Sequence, residues 1–280
     1  MKRLWLSLAI VLVWACPAWC DGLSLVSSQV YNGEAAMLRW QGEPLSFGVV
    51  RYRDKVVYLY PDPLGAVALL PVGLDTAAGD YPLFAALVDK QGRTRFSELL
   101  LHVEHKSRPE EHLSLPKRMV SPSAEDLARI SREGALLNET FTGLTPRLWT
   151  TFQRPVDGPV SSVFGKRRYM NGEPKSPHSG TDFRGSAGTP VHAISSGRVA
   201  LVSEMFYTGQ TVVIDHGEGL YSLYAHLSKV LVEEGHEVLK GDVLGKVGST
   251  GRSTGPHLHL TVKLLGERVD PLALLDIIKE

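Results

Sequence analysis

Two motifs in the C-terminal half most constrain the fold, His178-Ser-Gly-Thr-Asp182 and His257-Leu-His259. On a strand, residues two apart project from one face, so His257 and His259 can reach the same site. Glycines and a proline in and after the first motif argue against a helix there, and in an extended segment residues 178 and 182 also share a face. If both motifs serve one site, the fold must bring together two extended segments that lie far apart in the sequence.

The residue types in these motifs match a particular kind of metal site. A hydrolytic zinc site usually has three nitrogen or carboxylate ligands and leaves a fourth position to water. Two histidines and one aspartate meet that count, and the other histidine of the HxH pair could work beside the metal. Gly180 would leave room for the ion. A thermolysin-like HExxH helix is absent, because His236-Glu237 is followed by Val-Leu-Lys.

Further motifs surround these two in a fixed order: Ser162-Val-Phe-Gly165, His178-Ser-Gly-Thr-Asp-Phe183, Gly188-Thr-Pro-Val191, Ile214-Asp-His-Gly217, Tyr224-Ala-His-Leu-Ser228, Gly248-Ser-Thr-Gly251 and Thr254-Gly-Pro-His-Leu-His259. With this series, the stretch from about Pro155 to Pro271 resembles the lysostaphin-type zinc metallopeptidases, the peptidoglycan endopeptidases of bacteria. An ordered match of this density is not expected by chance.

The resemblance implies a role for each of five residues. His178, Asp182 and His259 would bind Zn²⁺, and His226 and His257 would be catalytic. An unperturbed imidazole titrates near ~6.5, so the pair suits proton transfer and oxyanion stabilisation while a zinc-activated water acts as nucleophile. The expected function is that of a secreted zinc metalloendopeptidase that hydrolyses amide bonds in peptidoglycan peptide stems or cross-links.

Two alternatives stay open at this stage. Some family members have lost ligands and activate other cell-wall hydrolases, although this chain keeps all five expected positions. A zinc peptidase that acts on protein is the other alternative.

The sequence also leaves open whether the N-terminal domain or a helix blocks the cleft until a regulatory protein partner moves it. No metal-capping asparagine upstream can be identified firmly, although Asn138 and Asn171 are candidates.

Other polar residues near the motifs allow less specific interpretations. His216 lies in a turn-rich stretch, which favours a loop role over ligation, whereas His192 could lie near the site. The glycine-rich run 248–255 lacks the GxxxxGK[ST] pattern of a phosphate loop, so a loop bordering the site is the better interpretation. Four residues could contact substrate or simply be surface residues: Arg167, Arg168, Tyr169 and Arg252.

The N-terminus is typical of an exported protein. Lys2 and Arg3 precede an apolar run over residues 4–15, which is shorter than the ~20 residues that span a bilayer. This pattern predicts a signal peptide at 1–20 and a periplasmic or envelope-associated mature chain without a transmembrane segment. Both cysteines, Cys16 and Cys20, lie in this segment, so the mature chain would have neither a disulfide nor a thiolate zinc ligand. Lipid anchoring at one of them is the less favoured alternative.

Charge and strand patterning set the remaining expectations. Lys and Arg number 30, as do Asp and Glu, and without a basic block a nucleic-acid partner is not expected. Short apolar runs between turn residues predict an immunoglobulin-like β-sandwich over 22–105. A polar connector with one helix follows over 106–150, with Ser123 and Asp126 in capping-box spacing. Residues 151–275 would form the peptidase domain, mostly antiparallel β, which makes the chain mainly β.

Overall fold

A computed structural model describes residues 22–27 and 29–277 of the chain. The predicted signal peptide at 1–20, with its two cysteines, lies outside the described residues. Within the described part, no helix combines the length and the apolar character needed to cross a bilayer. The predicted fold class is confirmed, because strands account for most of the regular structure.

The N-terminal part consists of nine strands, which are β1 Leu23–Leu25, β2 Gln29–Tyr31, β3 Ala35–Trp40, β4 Leu45–Tyr52, β5 Lys55–Tyr58, β6 Tyr60–Asp62, β7 Gly65–Pro71, β8 Gly79–Asp89 and β9 Thr94–Glu104. They form a four-stranded sheet in the order β1-β3-β7-β6 and a five-stranded sheet in the order β2-β9-β8-β4-β5. Buried side chains from both sheets form one core, including Leu38, Leu70, Val50, Leu83 and Leu101. The result is a two-sheet sandwich, and its immunoglobulin-like character stays a prediction.

The four-stranded sheet is covered on both faces. Strands buried on both faces carry near-continuous apolar runs, and β3 and β7 have this pattern. One face packs inside the sandwich. Residues of the other face enter the core of the C-terminal part, where side chains of both parts pack together: Ala35, Met37, Val67, Leu69, Trp149, Leu220, Leu264 and Leu274. The two parts therefore share an apolar junction.

The connector is more structured than the polar linker expected from the sequence. It contains β10 (Glu110–Leu113), α1 (Lys117–Val120) and α2 (Ala124–Thr140). The predicted cap of α2 is confirmed, since the Asp126 backbone N–H donates to Ser123 Oγ at 3.1 Å. Strand β10 was not expected, because its sequence Glu-Glu-His-Leu has little strand propensity. Its pairing partner in the C-terminal part supplies the backbone hydrogen bonds that hold it extended.

The C-terminal part contains twelve further strands and one helix: β11 Val160–Ser162, β12 Arg167–Met170, β13 Glu173–Lys175, β14 Thr181–Arg184, β15 Pro190–His192, β16 Gly197–Met205, β17 Gly209–Asp215, β18 Leu220–Val230, β19 Glu237–Val238, β20 Val243–Val247, β21 His257–Leu264, β22 Glu267–Val269 and α3 Pro271–Ile277. Ten of the strands form one antiparallel sheet with the central order β11-β14-β21-β18-β17-β16-β19. The other two, β12 and β13, join β10 in a three-stranded sheet. The mostly antiparallel β character predicted for this part is confirmed.

The pairing of β14, β21 and β18 places the predicted site residues together. Asp182 on β14 is opposite His259 on β21, and Ala225 on β18 is opposite the other side of His259. His226 follows directly, at an irregularity of β18 where its φ is 63°. Rigid strands in the middle of the sheet therefore carry three of the five predicted site residues, and the fourth, His257, begins β21.

Candidate metal centre and cleft

Three ligand-type atoms converge at the sheet. Asp182 Oδ1 lies 3.1 Å from His178 Nε2 and 2.7 Å from His259 Nδ1, and the two histidine nitrogens are 3.0 Å apart. All three residues are buried. Among the described residues, these form a group of histidine, cysteine or acidic side chains compact enough to hold one metal ion. We call His178, Asp182 and His259 the metal cluster.

Two features of the backbone bring His178 to this cluster. Residues 178–180 form a loop, and the strand begins only at Thr181. The prediction that residues 178 and 182 lie in one extended segment is therefore wrong. Gly180 has a different role from the one expected. A Cβ at this position would collide with the Leu260 carbonyl oxygen and approach the His259 ring, so the glycine allows β21 to approach rather than making space for an ion.

The hydrogen bonds around the cluster show that it fits a cation. His178 Nδ1 lies 2.9 Å from the Val163 carbonyl, which can only accept, so Nδ1 carries the ring proton of the neutral form. Nε2 then presents a lone pair to the Asp182 carboxylate, which is also an acceptor. Two facing acceptors repel unless a positive charge lies between them. The nitrogen and carboxylate donor set is one that Zn²⁺ accepts.

Burial controls the charge of the cluster residues. Burial is the main cause that lowers the pKa of His259 to about 4, and the nearby charge of Arg168 lowers it further, although Asp182 opposes this effect. Burial also opposes ionisation of Asp182, but its contacts with His178 and His259 hold the pKa of the carboxyl well below its usual range. At neutral pH the cluster therefore offers a neutral imidazole and an ionised carboxylate, the forms that bind metals.

A network from the connector supports the ligands. Arg168 Nη2 donates to Asp182 Oδ2 at 3.2 Å, and Arg168 Nε donates to Glu111 on β10 at 2.7 Å. The Ser162 hydroxyl donates to the same Glu111 carboxylate at 2.6 Å and lies 3.2 Å from His178 Nδ1. Glu111 therefore reaches two of the predicted ligands, Asp182 through Arg168 and His178 through Ser162. No local pattern in the sequence indicates this role, because it depends on the pairing of β10 with β12.

The two predicted catalytic histidines stand beside the cluster. The rings of His226 and His257 have centroids 4.7 Å apart, and His257 Nε2 is 3.8 Å from Asp182 Oδ1. Each ring donates through Nδ1 to a backbone carbonyl at 2.8 Å, that of Thr250 for His226 and that of Gly255 for His257. This fixes both rings and leaves both Nε2 atoms available. Burial is the main cause that lowers the pKa of His226 to about 3, so this ring is neutral at neutral pH.

The site opens onto a cleft of about 480 Å³. The connector forms one wall with Glu111, Leu113 and Leu115, and the loop of residues 252–256 forms another. His226, His257, His259 and Asp182 line the cleft between these walls. An extended chain could enter such a groove and reach the buried cluster.

His216, His192 and Asn171 each have contacts that give them a structural role. His216 is buried and lies 2.8 Å from the Ser196 carbonyl and 2.7 Å from Ser222 Oγ, which agrees with a structural role. His192 contacts the Gly241 carbonyl at 2.8 Å. The Asn171 side chain forms two hydrogen bonds with the backbone of Leu115, both at 2.9 Å, so it fastens the connector.

Three facing atoms of ligand type, with two available imidazole nitrogens on an open cleft, have the composition and arrangement expected of a hydrolytic metal centre. The family model described as Peptidase family M23 matches residues 176–271. A Pseudomonas aeruginosa crystal structure assigned to peptidase M23 is 34% identical, with a TM-score of 0.68 over 89% of this chain and 96% of that one. The chain belongs to peptidase family M23. This confirms the resemblance found in the sequence.

Curated relatives match over the C-terminal part. The Vibrio cholerae peptidoglycan DD-endopeptidase ShyA is 42% identical over 129 residues, which are 45% of this chain and 30% of ShyA. The Neisseria meningitidis DD-carboxypeptidase/endopeptidase Mpg is 41% identical over 115 residues, which are 41% of this chain and 26% of Mpg. The chain thus aligns with less than a third of the length of either relative.

Proposed function

We propose that this chain is a zinc metalloendopeptidase that hydrolyses amide bonds in the peptide stems or cross-links of peptidoglycan. The observation that carries the proposal is the metal cluster with His226 and His257 beside it on one open cleft. The name of ShyA, a peptidoglycan DD-endopeptidase, supplies the substrate class. A regulatory protein partner and export through the segment at 1–20 stay predictions.

The ligands in this proposal are His178, Asp182 and His259. A zinc ion bound there supplies Lewis acidity, which polarises a carbonyl and lowers the pKa of water toward ~7. The protein keeps His259 neutral by burial and keeps Asp182 ionised, so the donor set is ready at neutral pH. The Val163 carbonyl fixes the ring proton of His178 on Nδ1 and keeps Nε2 unprotonated.

The two remaining histidines handle protons in this proposal. Because both Nδ1–H groups are bonded to backbone carbonyls, only Nε2 of each ring can exchange a proton with substrate or water. His226 begins as a neutral ring, so its Nε2 can accept a proton. His257, close to the Asp182 carboxylate, is placed to donate to the leaving amine or to a developing oxyanion. Backbone anchoring keeps both rings in place during the reaction.

The proposal is tested by incubating the zinc-loaded protein with purified peptidoglycan and identifying the released fragments by mass spectrometry. The His259→Ala variant and a chelator-treated sample serve as controls, and casein provides a protein substrate. Fragments released only by the intact zinc-loaded form would establish the activity and identify the bond cleaved.

Other outcomes would replace the proposal. Cleavage of casein without release from peptidoglycan would make the chain a zinc peptidase that acts on protein. No cleavage of either substrate, together with stimulation of an added wall hydrolase, would make it a noncatalytic activator.

A further inference from the structure

One short loop holds both catalytic rings. Its residue Thr250 accepts the hydrogen bond from His226, and its residue Gly255 accepts the hydrogen bond from His257. Between these two carbonyls lies Arg252, which lines the same cleft as the two histidines. The side chain of Arg252 is therefore part of the wall that a bound substrate would contact.

Arg252 is fixed in position by a neighbouring aromatic residue. Its guanidinium carbon lies 4.0 Å from the centre of the Tyr207 ring, which is a cation–π distance. Its backbone N–H donates to the Tyr207 carbonyl at 2.8 Å. A side chain held in this way loses little freedom when it binds a ligand.

The charge of Arg252 has no acidic partner in the described part of the chain. Arg168, in the same cleft, pairs with Glu111 at 2.7 Å and with Asp182 at 3.2 Å. No carboxylate contacts the guanidinium of Arg252 among residues 22–27 and 29–277, and burial, reinforced by the charge of Arg168, lowers its pKa. A half-buried cation is costly unless something compensates for it. An anionic ligand would supply the missing partner.

We propose that Arg252 forms an anion subsite that binds a free carboxylate of the peptide substrate, next to the amide held at the metal cluster. This inference rests on the proposed function, since the peptide is the proposed substrate. The planar guanidinium can hold both oxygens of a carboxylate with two parallel hydrogen bonds. Because the loop also holds His226 and His257, a carboxylate bound at Arg252 would be positioned relative to the catalytic rings.

The test uses synthetic cross-linked peptide dimers in which each free carboxylate is replaced in turn by a carboxamide. Dissociation constants are measured by calorimetry on the zinc-loaded protein in a His257→Ala background, where slow turnover leaves the peptide intact. The same peptides are assayed for kcat/KM with His257 present. Both measurements are repeated with Arg252→Gln. Arg184→Gln is the matched control, because it removes the same charge from another arginine of the cleft lining.

We expect one carboxamide to weaken binding and to lower kcat/KM by roughly 10- to 100-fold, the usual effect of losing hydrogen bonds to a charged group. Arg252→Gln should remove this preference, and Arg184→Gln should keep it. A preference that survives in Arg252→Gln would overturn the inference, because the carboxylate would then be bound elsewhere, for example by the zinc. Equal loss in both variants would also overturn it, because it would indicate a general effect of charge.

The experiments distinguish failure of the anion subsite from failure of the proposed function. An Arg252-dependent binding preference without release of peptidoglycan fragments would support the subsite and overturn the proposed activity. Cleavage without any carboxylate preference would support the activity and overturn the subsite.

Discussion

Two buried histidines of the same domain, His259 and His216, differ in what their ring nitrogens face. Burial is the first cause that lowers the pKa of each to about 4. His216 Nδ1 donates to the Ser196 carbonyl at 2.8 Å, and its Nε2 accepts from the Ser222 hydroxyl at 2.7 Å, so the neutral ring is satisfied. His259 Nδ1 instead faces the Asp182 carboxylate and His178 Nε2. Both histidines therefore share a depressed pKa, and what distinguishes the proposed metal ligand is that its ring nitrogen faces two other ligand-type atoms.

The largest expected effect separates these two histidines directly. His259→Ala removes one of three ligand atoms, so zinc affinity should fall by more than the roughly 10- to 100-fold that a hydrogen-bond partner of a ligand contributes. Activity should be lost with the metal. His216→Ala should keep a full complement of zinc but lower the free energy of unfolding by about 1–3 kcal/mol, because it leaves the Ser196 carbonyl and Ser222 unpaired. Zinc content by mass spectrometry and urea unfolding check both, and zinc loss from a folded His216→Ala protein would contradict the comparison.

Within the proposed site, the metal ligands should differ from the two proton-transfer histidines in their effect on zinc content. His226→Ala and His257→Ala leave the three ligand atoms in place, so zinc content should remain that of the unmodified protein. Loss of a positioned proton-transfer group should lower kcat by roughly 10²- to 10⁴-fold. The measurement is kcat on a peptidoglycan fragment alongside zinc stoichiometry. If either variant lost its zinc, that histidine would belong to the metal cluster instead.

From the sequence alone, it was possible to predict which residues of the motifs lie close together. The HxH spacing on a strand predicted that His257 and His259 reach the same place, because strand periodicity is local, and both side chains line the cleft. The family resemblance added His226, which no spacing argument could connect to His257. The mostly β character of the C-terminal part was predictable because its apolar runs are separated by turn residues.

What the sequence could not show depends on pairing between distant segments. Glu111 lies in a connector of low strand propensity, and only the register of β10 with β12 brings it to Arg168. The structural role of Gly180 likewise depends on the approach of β21, since its contact is with the Leu260 backbone. Such contacts leave no local pattern in the sequence of either segment.

A smaller effect is expected near His216, where the ionisation of Glu218 should make the stability of the fold depend on pH. The Glu218 carboxylate accepts from Trp149 Nε1 at 3.2 Å through Oε2, while Oε1 is buried without a hydrogen-bond partner among the described residues. Burial is the main cause that raises the pKa of Glu218 from 4.5 to about 7, against the opposing effects of Arg147 and Trp149. Because the folded-state pKa is the higher one, the folded protein holds this proton more tightly. Its stabilising effect is complete below about pH 4.5 and is lost as the pH rises through about 7.

Glu218→Gln should therefore remove this loss of stability. Relative to the unmodified protein, the variant should gain at most about 3 kcal/mol between pH 4.5 and pH 8, at 1.36 kcal/mol per pKa unit. Urea unfolding at both pH values measures the gain, and zinc content should not change. Equal pH dependence of the two proteins would show that Glu218 ionises without cost in the folded state.

The smallest effect is expected from Glu111, through which the connector supports the metal cluster. Glu111→Gln keeps the size of the side chain but removes the charge that compensates Arg168. Arg168 should then interact more strongly with Asp182 Oδ2, which it already contacts at 3.2 Å, and the cluster should attract a cation less. We expect zinc affinity to fall by roughly 10- to 100-fold, as for other partners of metal ligands. Competition with a chromogenic chelator measures this change.

The neighbouring residue provides the matched control for this prediction. Glu110 precedes Glu111 on β10, and its carboxylate pairs with the exposed Arg167 at 3.2 Å instead of with Arg168. Because alternate residues of a strand point to opposite faces, Glu110→Gln makes the same change in charge on the other side of β10. Its zinc affinity should remain within about twofold of the unmodified protein, since an exposed ion pair contributes little. Equal losses in the two variants would mean that the connector acts through its net charge, and the network from Glu111 to Asp182 would have no specific role in holding the metal.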